Sequence, residues 1–302
     1  MEKEQIIEKI QKLKEKQHAI LLAHNYQHPD IQDIADVLGD SLDLSIKATK
    51  TDAKVIVFCG VDFMAQSAKI LNPEKTVLHP DPKAQCPMAE MVDVESLRWM
   101  KEKHPDAEVV AYINTSAEVK ACADICCTSA NGVKIVQSCQ AKKIIFIPDT
   151  NLGLYIQRFV PEKEILIWPG ICSTHHNITK DHILLLKNKY PDAEVLVHPE
   201  CRPEVIDIAD HALSTNGMVQ QVKQSKATRF IIGTEKELCY RLKKENPDKI
   251  FYPIETAICP NMKKITLQKV LKSLETLKPS IQLSKETMEK ARIPLQKMMD
   301  LK

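Results

Sequence analysis

Three stretches of this chain share one alternation of apolar and polar runs. Each opens with a short β-rich run: Ala19 to Asn25, Glu108 to Asn114 and Glu194 to Glu200. A helical stretch carrying an Ala-Asp pair follows, ending at Asp36, Asp124 and Asp210. These aspartates are offset by 88 and then 86 residues, and five residues beyond each stands a small hydroxyl: Ser41, Ser129 and Thr215. A second apolar run comes next, Val55 to Phe58, Ile144 to Ile147 and Phe230 to Ile232. A third leads through a proline to a cysteine: Val77 to Cys86, Ile165 to Cys172 and Ile250 to Cys259. Five landmarks in register three times mark an internal repeat.

Short β-rich runs alternating with helical stretches predict parallel sheets joined by right-handed crossover helices. The expected fold is α/β, with three homologous domains in a pseudo-threefold arrangement. The first spans 1–104 with an N-terminal helix, the second 105–190, and the third 191–302 with C-terminal helices. Sites in such sheets gather at the carboxyl ends of strands. His24, Tyr112, Asn114, His198 and Glu200 stand there, and the three registered cysteines follow the third strands. Packed about one axis, the units turn all of these toward a central cavity.

The ends read as helices. Ile6, Ile10 and Leu13 fall on one helical face in a segment too charged for a signal peptide. Residues 270–302 read as helices broken at Pro279 and Pro294. No apolar run reaches the ~18 residues of a membrane span, so a cytoplasmic chain is expected. Lys and Arg number 42 against 40 Asp and Glu, a surplus of +2 that gives no electrostatic case for nucleic acid or an anionic membrane. Only seven glycines occur, and no G-x-G-x-x-G, Walker loop or G-x-S-x-G elbow is present.

The ten cysteines then need sorting. In a reducing compartment they read as buried thiols or metal ligands. Cys59, Cys122, Cys126, Cys127, Cys139, Cys201 and Cys239 have no counterpart in the other units and read as small apolar side chains. Cys86, Cys172 and Cys259 occupy one place in each unit. Three thiolates hold either zinc with water as fourth ligand, or a [4Fe–4S] cluster with one iron open; spacing alone leaves both standing.

At these residues the chain resembles the bacterial and archaeal quinolinate synthases. The likeness runs from Leu22-Ala-His-Asn-Tyr-Gln27 to Cys259-Pro-Asn-Met-Lys-Lys-Ile-Thr-Leu267. It passes through Tyr112-Ile-Asn-Thr-Ser-Ala-Glu-Val-Lys120, Trp168-Pro-Gly-Ile-Cys172 and His198-Pro-Glu-Cys201. The resemblance implies three α/β domains around one [4Fe–4S] cluster per chain, held by Cys86, Cys172 and Cys259. It implies condensation of iminoaspartate with dihydroxyacetone phosphate, with loss of phosphate and water, to give quinolinate for NAD biosynthesis. An L-aspartate oxidase or aspartate dehydrogenase would then be the functional partner. The implied substrate-binding positions are His24, Tyr26, Ser41, Tyr112, Ile113, Asn114, Ser129, His175, His198, Pro199, Glu200 and Thr215. Of these, Glu200, Tyr112 and His198 are expected to be catalytic. Glu200 suits a general base because carbon-bound protons must move. The three hydroxyls, at helix starts, suit anion binding without glycine loops. Asp62, Gln66, Thr174 and Leu213 depart from the family pattern but remove no matched ligand. The alternatives are another three-cysteine iron–sulfur enzyme, of the diphosphate reductase or diphthamide type, and a non-enzymatic iron–sulfur sensor.

Overall fold

The repeat folds as the alternation predicts. The computed structural model describes residues 2–301; Met1 and Lys302, at the outer limits of the first and third expected domains, lie outside the described residues. The first unit runs α1 (Lys3–Gln17), β1 (Ala19–His24), α2 (Pro29–Ile34), β2 (Val37–Gly39), α3 (Ser41–Lys50), β3 (Val55–Cys59), α4 (Asp62–Leu71) and β4 (Thr76–Leu78). The second repeats that order: α5 (Val94–Lys103), β5 (Ala107–Tyr112), α6 (Ala117–Lys120), β6 (Ile125–Cys127), α7 (Gly132–Ser138), β7 (Lys143–Ile147), α8 (Thr150–Gln157) and β8 (Glu164–Ile167). A single turn, α9 (Ser173–His176), precedes the third: α10 (Lys180–Lys189), β9 (Glu194–Val197), α11 (Pro203–Ile206), β10 (His211–Ala212), α12 (Thr215–Gln224), β11 (Arg229–Gly233), α13 (Leu238–Glu245) and β12 (Ile250–Pro253). Two helices close the chain, α14 (Leu267–Thr276) and α15 (Lys285–Asp300).

Each unit forms a four-stranded, all-parallel sheet in the same order, β2-β1-β3-β4 and its equivalents. The short edge strands β2, β6 and β10 are additions to the sequence reading. Their few residues, lying between a helix end and a hydroxyl, carry too little alternation to be seen. The Ala-Asp pairs lie just past α2, α6 and α11 rather than on a helical stretch, and the reason is a hydrogen bond. The carboxylates of Asp36, Asp124 and Asp210 accept the backbone N–H of Leu21, Val109 and Val195 at 2.7, 2.8 and 2.7 Å, fastening each turn to the central strand. Lys14, Lys101 and Lys187, from the helix before each sheet, meet the same carboxylates at 2.6, 3.7 and 3.9 Å. The expected boundaries at 104/105 and 190/191 therefore run between a helix and the sheet whose aspartate it contacts.

A second brace escaped the sequence reading, although it keeps the same 88 and 86 offsets. Lys75, Lys163 and Lys249 donate to the carbonyls that close α3, α7 and α12, among them those of the capping residues Thr51, Cys139 and Ser225. A cation at a helix C-terminus satisfies orphan carbonyls and suits the helix dipole. It also fixes these three helices with their N-termini toward the middle of the molecule.

The side on which each residue packs alternates along β1, β3, β9 and β11. Leu22 of β1, Ile56 and Phe58 of β3, Leu196 of β9, and Phe230 and Ile232 of β11 join one core with β5 to β8. Their neighbours Leu21, Ala23, Val55 and Val57 pack under α1 and α14, while Val195, Val197 and Ile231 form a separate outer cluster. Residues 24 and 198 continue the inward parity of Leu22 and Leu196, so they face the centre.

The C-terminal expectation needs one correction. Pro279 lies between α14 and α15, but Pro294 sits inside α15 and does not end it. A proline within a helix forfeits one backbone hydrogen bond. Here Ala291, Pro294, Leu295 and Met298 are buried, and α15 packs against α4, α6 and β6, so burial across two units offsets that loss. Among the described residues, no helix is long and apolar enough to cross a membrane.

Candidate active site

The strand ends and cysteine loops enclose a cavity of about 150 Å³. His24, Tyr26, Ser41, Tyr112, Asn114, Ser129, His175, His198, Glu200, Thr215 and all three registered cysteines line it. Ile113 and Pro199, also expected at the site, do not: Ile113 is packed in the core, its N–H given to Cys127. None of the seven unmatched cysteines reaches the cavity, and all ten thiols are free.

One backbone hydrogen bond, repeated three times, sets the cysteines in register. Asp62, Thr150 and Lys236 donate their N–H to Ala84, Gly170 and Ala257, each two residues before a cysteine. In the second loop only a glycine fits, because a Cβ on Gly170 would stand 2.4 Å from the Pro148 carbonyl oxygen. Two buried carboxylates add a second tie. Asp149 accepts the N–H of Cys172 at 3.1 Å, and Glu235 accepts that of Cys259 at 3.3 Å. After each cysteine the chain makes a helical turn: residues Ala89–Met91, Ser173–His176 and Met262–Lys264. Backbone N–H groups of these turns point back at sulfur: Ala89 and Met88 at Cys86, His175 at Cys172, Met262 and Asn261 at Cys259. Burial nevertheless pushes the thiols up, Cys86 to about 12, Cys172 well above the usual range, and Cys259 in the same direction.

The opposite wall is built from helix starts. Ser41 and Thr215 are the first residues of α3 and α12, capped by Asp40 and Ser214, and Ser129 precedes α7. The hydroxyls therefore stand one position past the cap in two units, leaving capping to their neighbours. Three helix N-termini present partial positive charge here. Among the described residues, no lysine or arginine lines the cavity.

Glu200 is the electrostatic centre. Burial opposes its charge, but the adjoining His175 and the hydrogen bonds from His175 and Tyr112 outweigh that and hold the carboxyl well below its usual range. Its Oε2 lies 2.6 Å from His175 Nδ1 and 3.6 Å from His198 Nδ1, while Oε1 is buried without a partner. Tyr112 is hydrogen-bonded to it, and burial drives that phenol well above 10, so it stays protonated. Burial lowers His24 and His198 to about 3, leaving neutral imidazoles. Beyond Glu200, His175 Nε2 meets Thr234 Oγ1 at 2.8 Å, which meets the Tyr26 hydroxyl at 2.5 Å. The Asn114 side-chain Oδ1 is a second buried acceptor of the cavity without a partner. Asp149, Glu235 and Thr234 were not assigned roles from sequence; the signal was their place just past β7 and β11, where the second and third units each carry a carboxylate.

Among the described residues, Cys172, His175 and Glu200 form the one three-donor group whose atoms all lie within 4.8 Å. The three registered thiols are spread more widely around the cavity.

Comparison with known proteins finds relatives along nearly the whole chain. The family described as quinolinate synthetase A protein matches residues 8–300. The quinolinate synthase of Thermodesulfovibrio yellowstonii is 53% identical over 296 residues, 98% of each chain. Quinolinate synthase 2 of Methanosarcina acetivorans is 51% identical over 302 residues, covering 100% of this chain and 97% of its own. The quinolinate synthase of a Sulfurihydrogenibium species is 50% identical over 305 residues, 99% of each. With the family matching residues 8–300 and half its residues shared with such relatives, the chain belongs to the quinolinate synthetase A family.

Proposed function

We propose that this chain is a quinolinate synthase that condenses iminoaspartate with dihydroxyacetone phosphate, losing phosphate and water, and that Cys86, Cys172 and Cys259 hold one [4Fe–4S] cluster. The observation that carries the reading is the repeated cysteine loop. Three thiols in register, each met by backbone N–H groups, open onto the cavity that also receives three hydroxyl-bearing helix starts. N–H groups aimed at sulfur favour thiolate, and hydrogen bonds to sulfur are a feature of cluster sites. A single zinc, with Zn–S bonds of about 2.3 Å, needs its sulfurs within roughly 4 Å of one another; the wider setting of these thiols favours a polynuclear centre. When bound, a cluster with three protein ligands supplies an open iron, a Lewis acid suited to assisting loss of water.

The remaining chemistry falls to side chains. Glu200 is ionised and offers an unpartnered Oε1, so it takes carbon-bound protons during tautomerisation and dehydration. Tyr112, whose one O–H is given to the Glu200 carboxylate, is free to donate to a carbonyl oxygen once Glu200 has taken a proton. His24 and His198, neutral, donate from a ring N–H without adding charge. The carboxylates and phosphate of the substrates sit against Ser41, Ser129, Thr215 and the helix starts. The iminoaspartate would come from oxidation of aspartate by a partner oxidase or dehydrogenase, in the cytoplasm.

Anaerobic reconstitution with iron and sulfide, followed by assay for quinolinate, tests the whole reading. Quinolinate should form only with the cluster in place; a reconstituted chain that forms none refutes it.

A further inference from the structure

We infer that Asn25 and Arg241 are positioning residues that force the Thr215 hydroxyl to donate into the cavity, so that the group opposite it is an anionic oxygen of the substrate. Asn25 is fully buried between His24 and Tyr26, both on the cavity wall. Its Nδ2 donates to Thr215 Oγ1 at 2.8 Å, and its Oδ1 accepts from Arg241 Nη1 at 2.7 Å. A guanidinium has donors and no acceptor. The amide can therefore stand only one way round, with its carbonyl toward Arg241 and its NH₂ toward Thr215. The Thr215 oxygen thus accepts a hydrogen bond and keeps its own O–H to give.

Both ends of this relay are fixed. The Asn25 backbone is tied by its N–H to Gly39 and by its carbonyl to Gln32. Arg241 is 13% exposed and is aligned by Nε to Glu245 at 2.7 Å. Thr215 is 2% exposed at the first position of α12. The equivalents of Asn25 in the other units are Ile113 and Pro199, neither of which carries an amide. A nearly threefold scaffold has to bind an unsymmetrical substrate, and this relay makes one of its three hydroxyls an obligate donor. Carboxylate and phosphate oxygens only accept, so they are the class that fits.

The inference rests on Thr215 contacting substrate, as proposed above, and the test separates the two. Holoenzyme variants Thr215→Val, Asn25→Asp and the double variant are compared by calorimetric affinity for quinolinate and by KM for dihydroxyacetone phosphate. Asn25→Asp keeps the Arg241 contact but withdraws the donor, turning the Thr215 proton away from the cavity. Each single variant should lose about tenfold in one of the two anions, the scale of a hydrogen bond to a charged group. The double variant should be no worse than Thr215→Val. A further loss in the double variant means plain repulsion by the new carboxylate and overturns the relay, as does an Asn25→Asp protein that binds normally. A neutral Thr215→Val overturns the underlying contact and the inference with it. Should Asn25→Asp fail to load iron, Arg241→Met and Arg241→Lys replace it: Met should weaken binding severalfold, Lys, also donor-only, should restore it, and equal behaviour of the two refutes the relay.

Discussion

Replacing the three repeated aspartates by alanine one at a time measures how burial, rather than sequence, sets the worth of an interaction. Each variant removes an acceptor from a central-strand N–H at 2.7–2.8 Å. A hydrogen bond to a charged group is worth about 1.5–3 kcal/mol. Asp124→Ala and Asp210→Ala should each cost about 2 kcal/mol, since Lys101 and Lys187 stand 3.7 and 3.9 Å away and are more than one-third exposed. Asp36→Ala is different. Lys14 lies 2.6 Å from the carboxylate and is 7% exposed, so its ammonium is left buried and unpaired. Breaking a buried pair costs about 3–5 kcal/mol; Asp36 is itself 39% exposed, which tempers this to roughly 1–2 kcal/mol above the other two. Scanning calorimetry should show the Asp36→Ala midpoint lowest by about 2–8 °C, at 2–4 °C per kcal/mol. Adding Lys14→Met should bring it back to the level of its counterparts. Three equal midpoints, or a double variant that recovers nothing, would refute the reasoning.

Other outcomes follow from the site. Glu200→Gln should retain iron but lose about 10²–10⁴ in kcat, the range for a general base; unchanged kinetics would remove Glu200 from the mechanism. Asp149→Asn, which loosens the Cys172 loop, should speed iron loss to a chelator while leaving the fold intact by circular dichroism. Lys120 is fully buried, and burial lowers it from 10.5 to about 8. Between about pH 8 and 10.5 the unfolded chain holds that proton and the folded one does not, so stability rises with pH there. Wild type should therefore gain on Lys120→Met across that window in urea titrations, and parallel curves would contradict the shift.

Much of the fold was legible because its landmarks repeat. Strand runs such as Ile144 to Ile147 are buried on both faces and read as unbroken apolar segments. The cysteines were legible because one backbone hydrogen bond, made by Asp62, Thr150 and Lys236, recurs at the same offset. Polar contacts between units were not. Asn25 meets Thr215 and Arg241, and Tyr26 meets Thr234, across about 190 to 216 residues of chain, and no local pattern announces such pairs. Pro294 misled because its cost was weighed without the packing of α15 against two units. Ile113 and Pro199 came with the family likeness, yet neither is among the residues that line the cavity beside their neighbours.

The most direct measurement is iron content and quinolinate formation, read together, in anaerobically reconstituted wild type and in Cys86→Ser, Cys172→Ser and Cys259→Ser. The account predicts about four iron atoms per wild-type chain and quinolinate from iminoaspartate and dihydroxyacetone phosphate, with iron and turnover lost together in every cysteine variant. A variant that turns over at the wild-type rate without its iron would contradict it.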